Sequence, residues 1–255
     1  MNIKTLLSQI QKTSHTFDVT GLSLNTQSLQ KGDIFVAVQG TQKHGSEFIQ
    51  NAIDKGCIAV LVEERNIQCS VPSIRIDNLG SYLSDLAQTF YKGAQNIKLI
   101  GVTGTNGKTS VSLFISQLLE ALNVRTGVIG TLGISHSDNN TSNTTPDIFT
   151  IYKSLQEYSK KGIEVAIIEA SSHALTQNRL SGLAFEQAIF TNLTQDHLDY
   201  HETMEQYREA KGKLFSNSKV QTVIINRDDE NHSYFLDVAE DKVIKTFSID
   251  DFSDY

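Results

Sequence analysis

The sequence predicts an α/β protein built on a mostly parallel sheet, and three observations carry that prediction. Apolar, strand-like runs alternate with segments of helical spacing along most of the chain. A glycine-rich turn, Gly101-Val102-Thr103-Gly104-Thr105-Asn106-Gly107-Lys108-Thr109, lies between the apolar run Ile97-Lys98-Leu99-Ile100 and an amphipathic segment at 110–122. Polar clusters follow the later apolar runs, where open parallel sheets hold their ligands.

Taken in order, residues 1–95 form a first domain. Its strands are expected at Asp33-Ile34-Phe35-Val36-Ala37-Val38, Ile58-Ala59-Val60-Leu61-Val62 and Ser73-Ile74-Arg75-Ile76, with a helix over 47–55 between the first two and a closing helix over 81–92. Gly93-Ala94-Gln95-Asn96 is the junction. Residues 96–255 form the second domain, in the order strand 97–102, helix 108–122, strand 124–130, helix 149–161, strand 164–169, strand 187–191, helix 204–216 and strand 221–225. Neither an internal repeat nor a low-complexity run interrupts it.

Composition narrows the class. A chain of 255 residues with 39% hydrophobic and 20% charged residues is globular in make-up, with room for one large or two ordinary domains. No apolar run approaches the roughly 18 residues of a membrane span, and the apolar start is too brief for a signal peptide. Two cysteines, Cys57 and Cys69, do not make a disulfide framework, so the cytoplasm is the expected compartment. A net charge of −7 argues against broad nucleic-acid binding.

The glycine-rich turn carries the first chemistry. Its glycines let backbone N–H groups close around phosphate oxygens, Lys108 reaches the β- and γ-phosphates, and the Thr109 hydroxyl can ligate Mg²⁺. The usual pattern puts four residues between its first glycine and Gly107; here position 102 is valine and the glycine stands one place earlier, at Gly101. The strand before and the helix after supply the context that the pattern needs. ATP is the expected ligand, held by Gly104, Thr105, Asn106, Gly107, Lys108 and Thr109. Two more polar clusters, Glu169-Ala170-Ser171-Ser172-His173 and Thr191-Asn192-Leu193-Thr194-Gln195-Asp196-His197-Leu198-Asp199, end the expected strands. A carboxylate ending a buried strand beside a phosphate loop suits a hard cation, which makes Glu169 the first Mg²⁺ candidate.

These segments also resemble a known family. The phosphate loop, Asn143-Thr144-Thr145-Pro146-Asp147, Glu169-Ala170-Ser171-Ser172-His173-Ala174-Leu175, Arg179-Leu180, and the run from Phe190 through Thr191-Asn192-Leu193-Thr194-Gln195-Asp196-His197-Leu198-Asp199-Tyr200-His201 to Tyr207, Ala210 and Lys211 are similar to MurE. Members of that family are UDP-N-acetylmuramoyl-L-alanyl-D-glutamate ligases, which add the third residue of the peptidoglycan stem peptide. The match runs in order from about residue 20 to about residue 230, so it is far more specific than any one motif.

The resemblance implies a small N-terminal α/β domain that binds the UDP end of the substrate, followed by a P-loop central ATPase domain. It implies uridine contacts at Leu24 and Thr26, with Thr41, Gln42 and Lys43 as a second contact. Where the family commonly has Asp-Ser-Arg, this chain has Asn25-Thr26-Gln27, which keeps the hydroxyl and loses a positive charge beside a diphosphate. Asn143, Thr144, Thr145, Ser171, Gln177 and Arg179 match positions that bind the muramoyl-dipeptide, with Arg179 as the carboxylate clamp. Asn226 matches the segment that meets the nucleotide base and ribose.

Lys211 illustrates how spacing and resemblance can differ. Spacing alone turns Tyr207, Leu214 and Phe215 to a core and the lysines to water. The resemblance instead makes Lys211 the lysine that reacts with CO₂ to become a carbamate and joins Thr109, Glu169 and His197 around Mg²⁺. Lys108, Glu169, His197 and Lys211 are then the catalytic set for ATP-dependent amide formation through an acyl phosphate, with an amino acid as the second substrate and a monomeric enzyme. Complete family members continue into a third domain that clamps ATP and selects the amino acid, so residues 1–255 are expected to bind without turnover. Two alternatives stand beside this reading: a nucleotide- or UDP-sugar-binding module without ligase activity, and a ligase like folylpolyglutamate synthase. The first block and the Asn143-Thr144-Thr145-Pro146 segment argue against the latter.

Overall fold

The computed structural model describes residues 1–41, 43–65, 67–137 and 143–249; Gln42 therefore lies outside the described residues. The chain gathers into two compact units, one of Met1–Lys92 with Ile148–Tyr152 and one of Gly93–Asp147 with Lys153–Tyr255.

The first unit runs α1 (Ile3–Leu6), β1 (Leu22–Ser23), β2 (Ile34–Ala37), α2 (Ile49–Asp54), β3 (Ala59–Val62), β4 (Ser73–Arg75) and α3 (Leu83–Phe90). Its strands form a parallel sheet in the order β1-β2-β3-β4. Every residue of β2 and β3 is buried, the near-continuous apolar pattern of parallel strands covered on both faces. Phe35, Ala37, Val60 and Val62 pack with Leu29, Ile49, Ala52 and Cys57. Both helices start later than spacing predicts, because a tight 3₁₀ turn precedes each, at Gly45–Phe48 and Leu79–Tyr82. The His44 side chain accepts from Ser46 N and Asn78 is left-handed (φ 54°), so the chain turns before the α-helices begin.

The second unit continues with β5 (Lys98–Thr103), α4 (Lys108–Ala121), β6 (Thr126–Gly130), β7 (Gly133–Ile134), α5 (Ile148–Lys160), β8 (Val165–Glu169), α6 (Ser172–Thr176), β9 (Phe185–Phe190), α7 (Leu198–His201), α8 (Met204–Phe215), β10 (Thr222–Asn226), α9 (His232–Val238) and β11 (Val243–Phe247). Its sheet has the order β11-β10-β9-β5-β8-β6-β7 and is parallel except for the two-residue β7. The chain leaves β5 for β6, returns to β8, and only then crosses to β9 on the other side of β5. The carboxyl end of β5 is therefore a topological switch point, the position where such sheets open a ligand crevice.

Packing fixes that end of the sheet. Ile100 and Val102 of β5 meet Val165, Ile167 and Ile189, with Val111, Ile115 and Leu119 of α4 laid against them. Gly127 lies flush on the ring of Tyr158, where an added Cβ would come within 2.3 Å of a ring carbon. Phe190 stacks on Phe235 with centroids 3.9 Å apart, securing α9 on the far side of the sheet. Among the described residues, no helix is long and apolar enough to cross a membrane.

Candidate functional site

The phosphate loop is shaped by two glycines. Gly104 has φ +151°, and a Cβ there would sit 1.9 Å from Thr191 Oγ1; Gly107, at φ +83°, caps α4 without a side-chain acceptor. Only glycine meets both demands easily. Asn192, at the end of β9, brackets the loop: its backbone oxygen accepts from Thr105 N at 2.8 Å and its Oδ1 from Asn106 N at 2.9 Å. Thr191 Oγ1 donates to Asn106 O at 2.7 Å. The 14-residue α4 then begins at Lys108, so its first-turn N–H groups and dipole face the loop.

Two lysines converge on one carbonyl. Lys108 Nζ donates to Gly104 O at 2.8 Å and Thr105 O at 2.9 Å, and Lys211 Nζ donates to the same Gly104 O at 2.8 Å. Lys211 is only 1% exposed and lies 4.1 Å from the centroid of the Tyr207 ring. Burial, reinforced by neighbouring Lys108, pulls its pKa down to about 6 despite the opposing pull of Asp196, leaving a neutral amine at neutral pH. Burial likewise lowers the pKa of Lys108, with Glu169 and Asp196 working against it. The outward orientation that spacing gave Lys211 is thus corrected: it lies one turn after Tyr207 and shares its buried face.

Glu169 ends β8 and is 1% exposed. Three neutral donors contact its carboxylate: Thr109 Oγ1 at 2.9 Å, Thr131 N at 3.1 Å and Thr131 Oγ1 at 2.9 Å. Its position also explains Gly130, where a Cβ would lie 2.0 Å from Glu169 Oε1. A buried carboxylate fronted by hydroxyls, one of them Thr109 of the phosphate loop, is a donor set that fits a hard divalent cation. His197 is 46% exposed in its side chain, stands 3.5 Å from Asp196 Oδ2, and packs on His173 with ring centroids 4.9 Å apart. Among the described residues, no group of three histidine, cysteine or acidic side chains is gathered for a metal ion.

The remaining candidates fall in four places. Thr145 Oγ1 lies 2.6 Å from Glu169 O and 3.0 Å from Ser171 Oγ, tying its segment to the end of β8. Arg179 donates through Nη1 to Thr145 O at 2.6 Å and through Nε and Nη2 to Gln177 Oε1, so the three residues form one polar patch with Ser171. Asn143 is exposed nearby in sequence, and Thr144 Oγ1 lies 3.2 Å from Thr131 Oγ1. Asn226 uses its amide within the protein, donating to Thr191 O and accepting from Asp228 N. In the first unit, Leu24 and Thr26 occupy the loop after β1, where Thr26 O accepts from Lys55 Nζ at 2.7 Å. Thr41 and Lys43 are exposed, and Gly40 N donates to Lys43 O.

Sequence reasoning places Thr191 and Asn192 in a polar strand-end cluster without giving either a role, and it misses Thr131. Thr191 and Asn192 follow β9, which neighbours β5, whereas Thr131 follows β6, which neighbours β8 and so reaches Glu169 from the adjacent strand.

A phosphate loop at a switch point, with a buried strand-end carboxylate and two lysines at its rim, defines a P-loop nucleotide-binding protein. Comparison carries this further: residues 102–255 match the Mur ligase middle domain, and residues 18–91 match the Mur ligase family catalytic domain. The chain belongs to the Mur ligase family. It is 36% identical over 255 residues to the UDP-N-acetylmuramoyl-L-alanyl-D-glutamate–2,6-diaminopimelate ligase of Bacillus velezensis, covering 96% of this chain and 52% of the relative. The ligase of the same name from Pseudomonas putida is 41% identical over 216 residues, 82% of this chain and 44% of the relative. A solved structure with that enzyme name superposes with a TM-score of 0.82 at 30% identity, covering 100% of this chain and 54% of the other. MurF from Acinetobacter baumannii shares the fold, with a TM-score of 0.67 at 16% identity over 95% of this chain and 52% of the other. The chain spans about half the length of the relatives it matches.

Proposed function

We propose that this chain provides the UDP-substrate and ATP sites of an ATP-dependent ligase of peptidoglycan precursor synthesis. One observation supports this above the rest: Lys108, Lys211, Thr109 and Glu169 gather at one strand end around the Gly104 loop. The reaction joins an amino acid to the D-glutamyl carboxylate of UDP-N-acetylmuramoyl-L-alanyl-D-glutamate through an acyl phosphate. The names of the relatives favour 2,6-diaminopimelate as that amino acid.

In this reading the loop N–H groups and Lys108 hold the ATP phosphates and balance charge developing on the transferred group. Thr109, Glu169, His197 and carbamylated Lys211 are the residues that would hold Mg²⁺, which would supply positive charge against the phosphate oxygens. The low pKa of Lys211 favours its carbamate, since a neutral amine is the form that attacks CO₂. Arg179 faces an anionic group of the muramoyl-dipeptide, with Thr144, Thr145, Ser171 and Gln177 supplying hydroxyl and amide contacts. Leu24, Thr26, Thr41, Gln42 and Lys43 take the uridine end, Asn226 lies toward the nucleotide base, and the residues 1–95 and 96–255 divide these two tasks. The free thiols of Cys57 and Cys69 fit a cytoplasmic enzyme.

Calorimetric titration with ADP and with UDP-N-acetylmuramoyl-dipeptide tests this reading. Lys108→Ala is expected to lose at least tenfold in nucleotide affinity and keep the muramoyl ligand. Nucleotide affinity unchanged in Lys108→Ala would defeat the assignment.

A further inference from the structure

The Gly130-Thr131 turn, which the catalytic reading does not use, is built around Glu169. Gly130 has no Cβ because the carboxylate occupies that space, and the next residue donates to both carboxylate oxygens, through N–H to Oε1 at 3.1 Å and through O–H to Oε2 at 2.9 Å. The same hydroxyl oxygen lies 3.2 Å from Thr144 Oγ1. A hydroxyl has one proton to give, and this one is directed at two acceptors, Glu169 Oε2 and Thr144 Oγ1. The Thr131 proton is thus divided between the Glu169 carboxylate and the Thr144 hydroxyl oxygen.

The two acceptors belong to different ligands in the proposed function, on which this inference rests. Glu169 belongs with Thr109 and the phosphate loop, whereas Thr144 belongs to the muramoyl-dipeptide segment. We propose that Thr131 is a positioning residue that couples the two sites, so that occupancy of Thr144 by the muramoyl substrate and occupancy of the phosphate loop by Mg-nucleotide strengthen one another. A substrate amide or hydroxyl donating to Thr144 Oγ1 competes with Thr131 for that oxygen and leaves the Thr131 proton wholly to Glu169. The undivided hydrogen bond then holds the carboxylate in the orientation it has beside Thr109. By linkage, whatever the substrate does for the nucleotide the nucleotide must do for the substrate. Thr131 touches neither ligand in this scheme; it acts through Glu169 and Thr144.

The test is a thermodynamic square on the whole chain. The dissociation constant of Mg-ADP is measured with and without saturating UDP-N-acetylmuramoyl-dipeptide, in the wild type, in Thr131→Val and in Thr131→Ser. The wild type is expected to bind the nucleotide about fivefold or more tightly when the second ligand is present, the lower range of ordinary coupling. Thr131→Val keeps the shape and the backbone N–H but has no hydroxyl, and its ratio should fall to about 1, whatever happens to each affinity alone. Thr131→Ser should restore the ratio. A merely structural role would weaken both affinities and leave the ratio where it was. Thr131 is exposed, so the valine variant is expected to fold, and matching thermal melts check that. A wild-type ratio of 1, or one preserved in Thr131→Val, overturns the coupling role while both ligands bind. Failure of the wild type to bind either ligand overturns the proposed function itself, and the coupling with it.

Discussion

Lys211 is the side chain on which sequence spacing and structure differ most. A lysine on a helix usually snorkels its ammonium to water, yet this one ends against a backbone carbonyl and an aromatic ring at 1% exposure. Its pKa falls from 10.5 in an ordinary setting to about 6. Between those values the unfolded chain holds a proton that the folded chain lacks, so stability rises with pH from about 6 toward 10.5. His201, pulled down to about 4 by burial and by His173, Lys211 and His197, adds a slope of the same sign on the acid side, between about 4 and 6.5. Cys57, raised to about 11 by burial, works in the opposite direction above pH 9. From about pH 6.5 to 9 Lys211 adds a slope of at most about 1.4 kcal/mol for each pH unit, and Lys108, also lowered by burial, adds to it in the same direction. Urea midpoints taken across this interval, in bicarbonate-free buffer without metal, should climb more steeply in the wild type than in Lys211→Met. Parallel profiles would refute the buried neutral lysine.

At the scale of elements, long strands and helices were readable because their spacing and their packing agree. The second-unit strands at 97–102, 164–169 and 221–225 and the helices at 108–122, 149–161 and 204–216 correspond to β5, β8, β10, α4, α5 and α8 within a residue or so. Short pieces were not readable. β1 and β7 have two residues each and α6 has five, too few to display any period, and Lys245 and Thr246 interrupt the apolar run of β11. In the site, Gly104 to Thr109 and Glu169 stood out through residue type and position, whereas Thr131 did not: its importance comes from the partner across the sheet. Gly127 is a similar case, an ordinary strand glycine until the Tyr158 ring is seen against it. Tyr158 is 2% exposed and its hydroxyl is tied to Val128 O and Ser135 Oγ, so the ring has little freedom to retreat. Gly127→Ala should cost roughly 1–3 kcal/mol through overpacking. A denaturant midpoint equal to wild type would show that β6 and α5 can separate freely.

The whole molecule carries a net charge of −7, which favours solubility, yet its larger sheet has two unequal edges. One edge is closed by β7, whose two residues run antiparallel and leave almost no ladder to extend. The other is β11, five residues long, with β10 as its one partner strand among the described residues and Val243 58% exposed. A strand of that length at an edge offers backbone donors and acceptors that another copy can use as a template. Lys245 at its middle acts as a gatekeeper against such growth, while Val243 at its start does not. Light scattering at rising protein concentration should therefore be lower for Val243→Lys than for the wild type, with stability changed by no more than about 0.5 kcal/mol. Equal scattering would clear β11 of that role. The asymmetry of the edges gives the chain a direction for unwanted growth: copies that associate in storage should add at the β11 side, making its five residues the place to protect when the protein is concentrated.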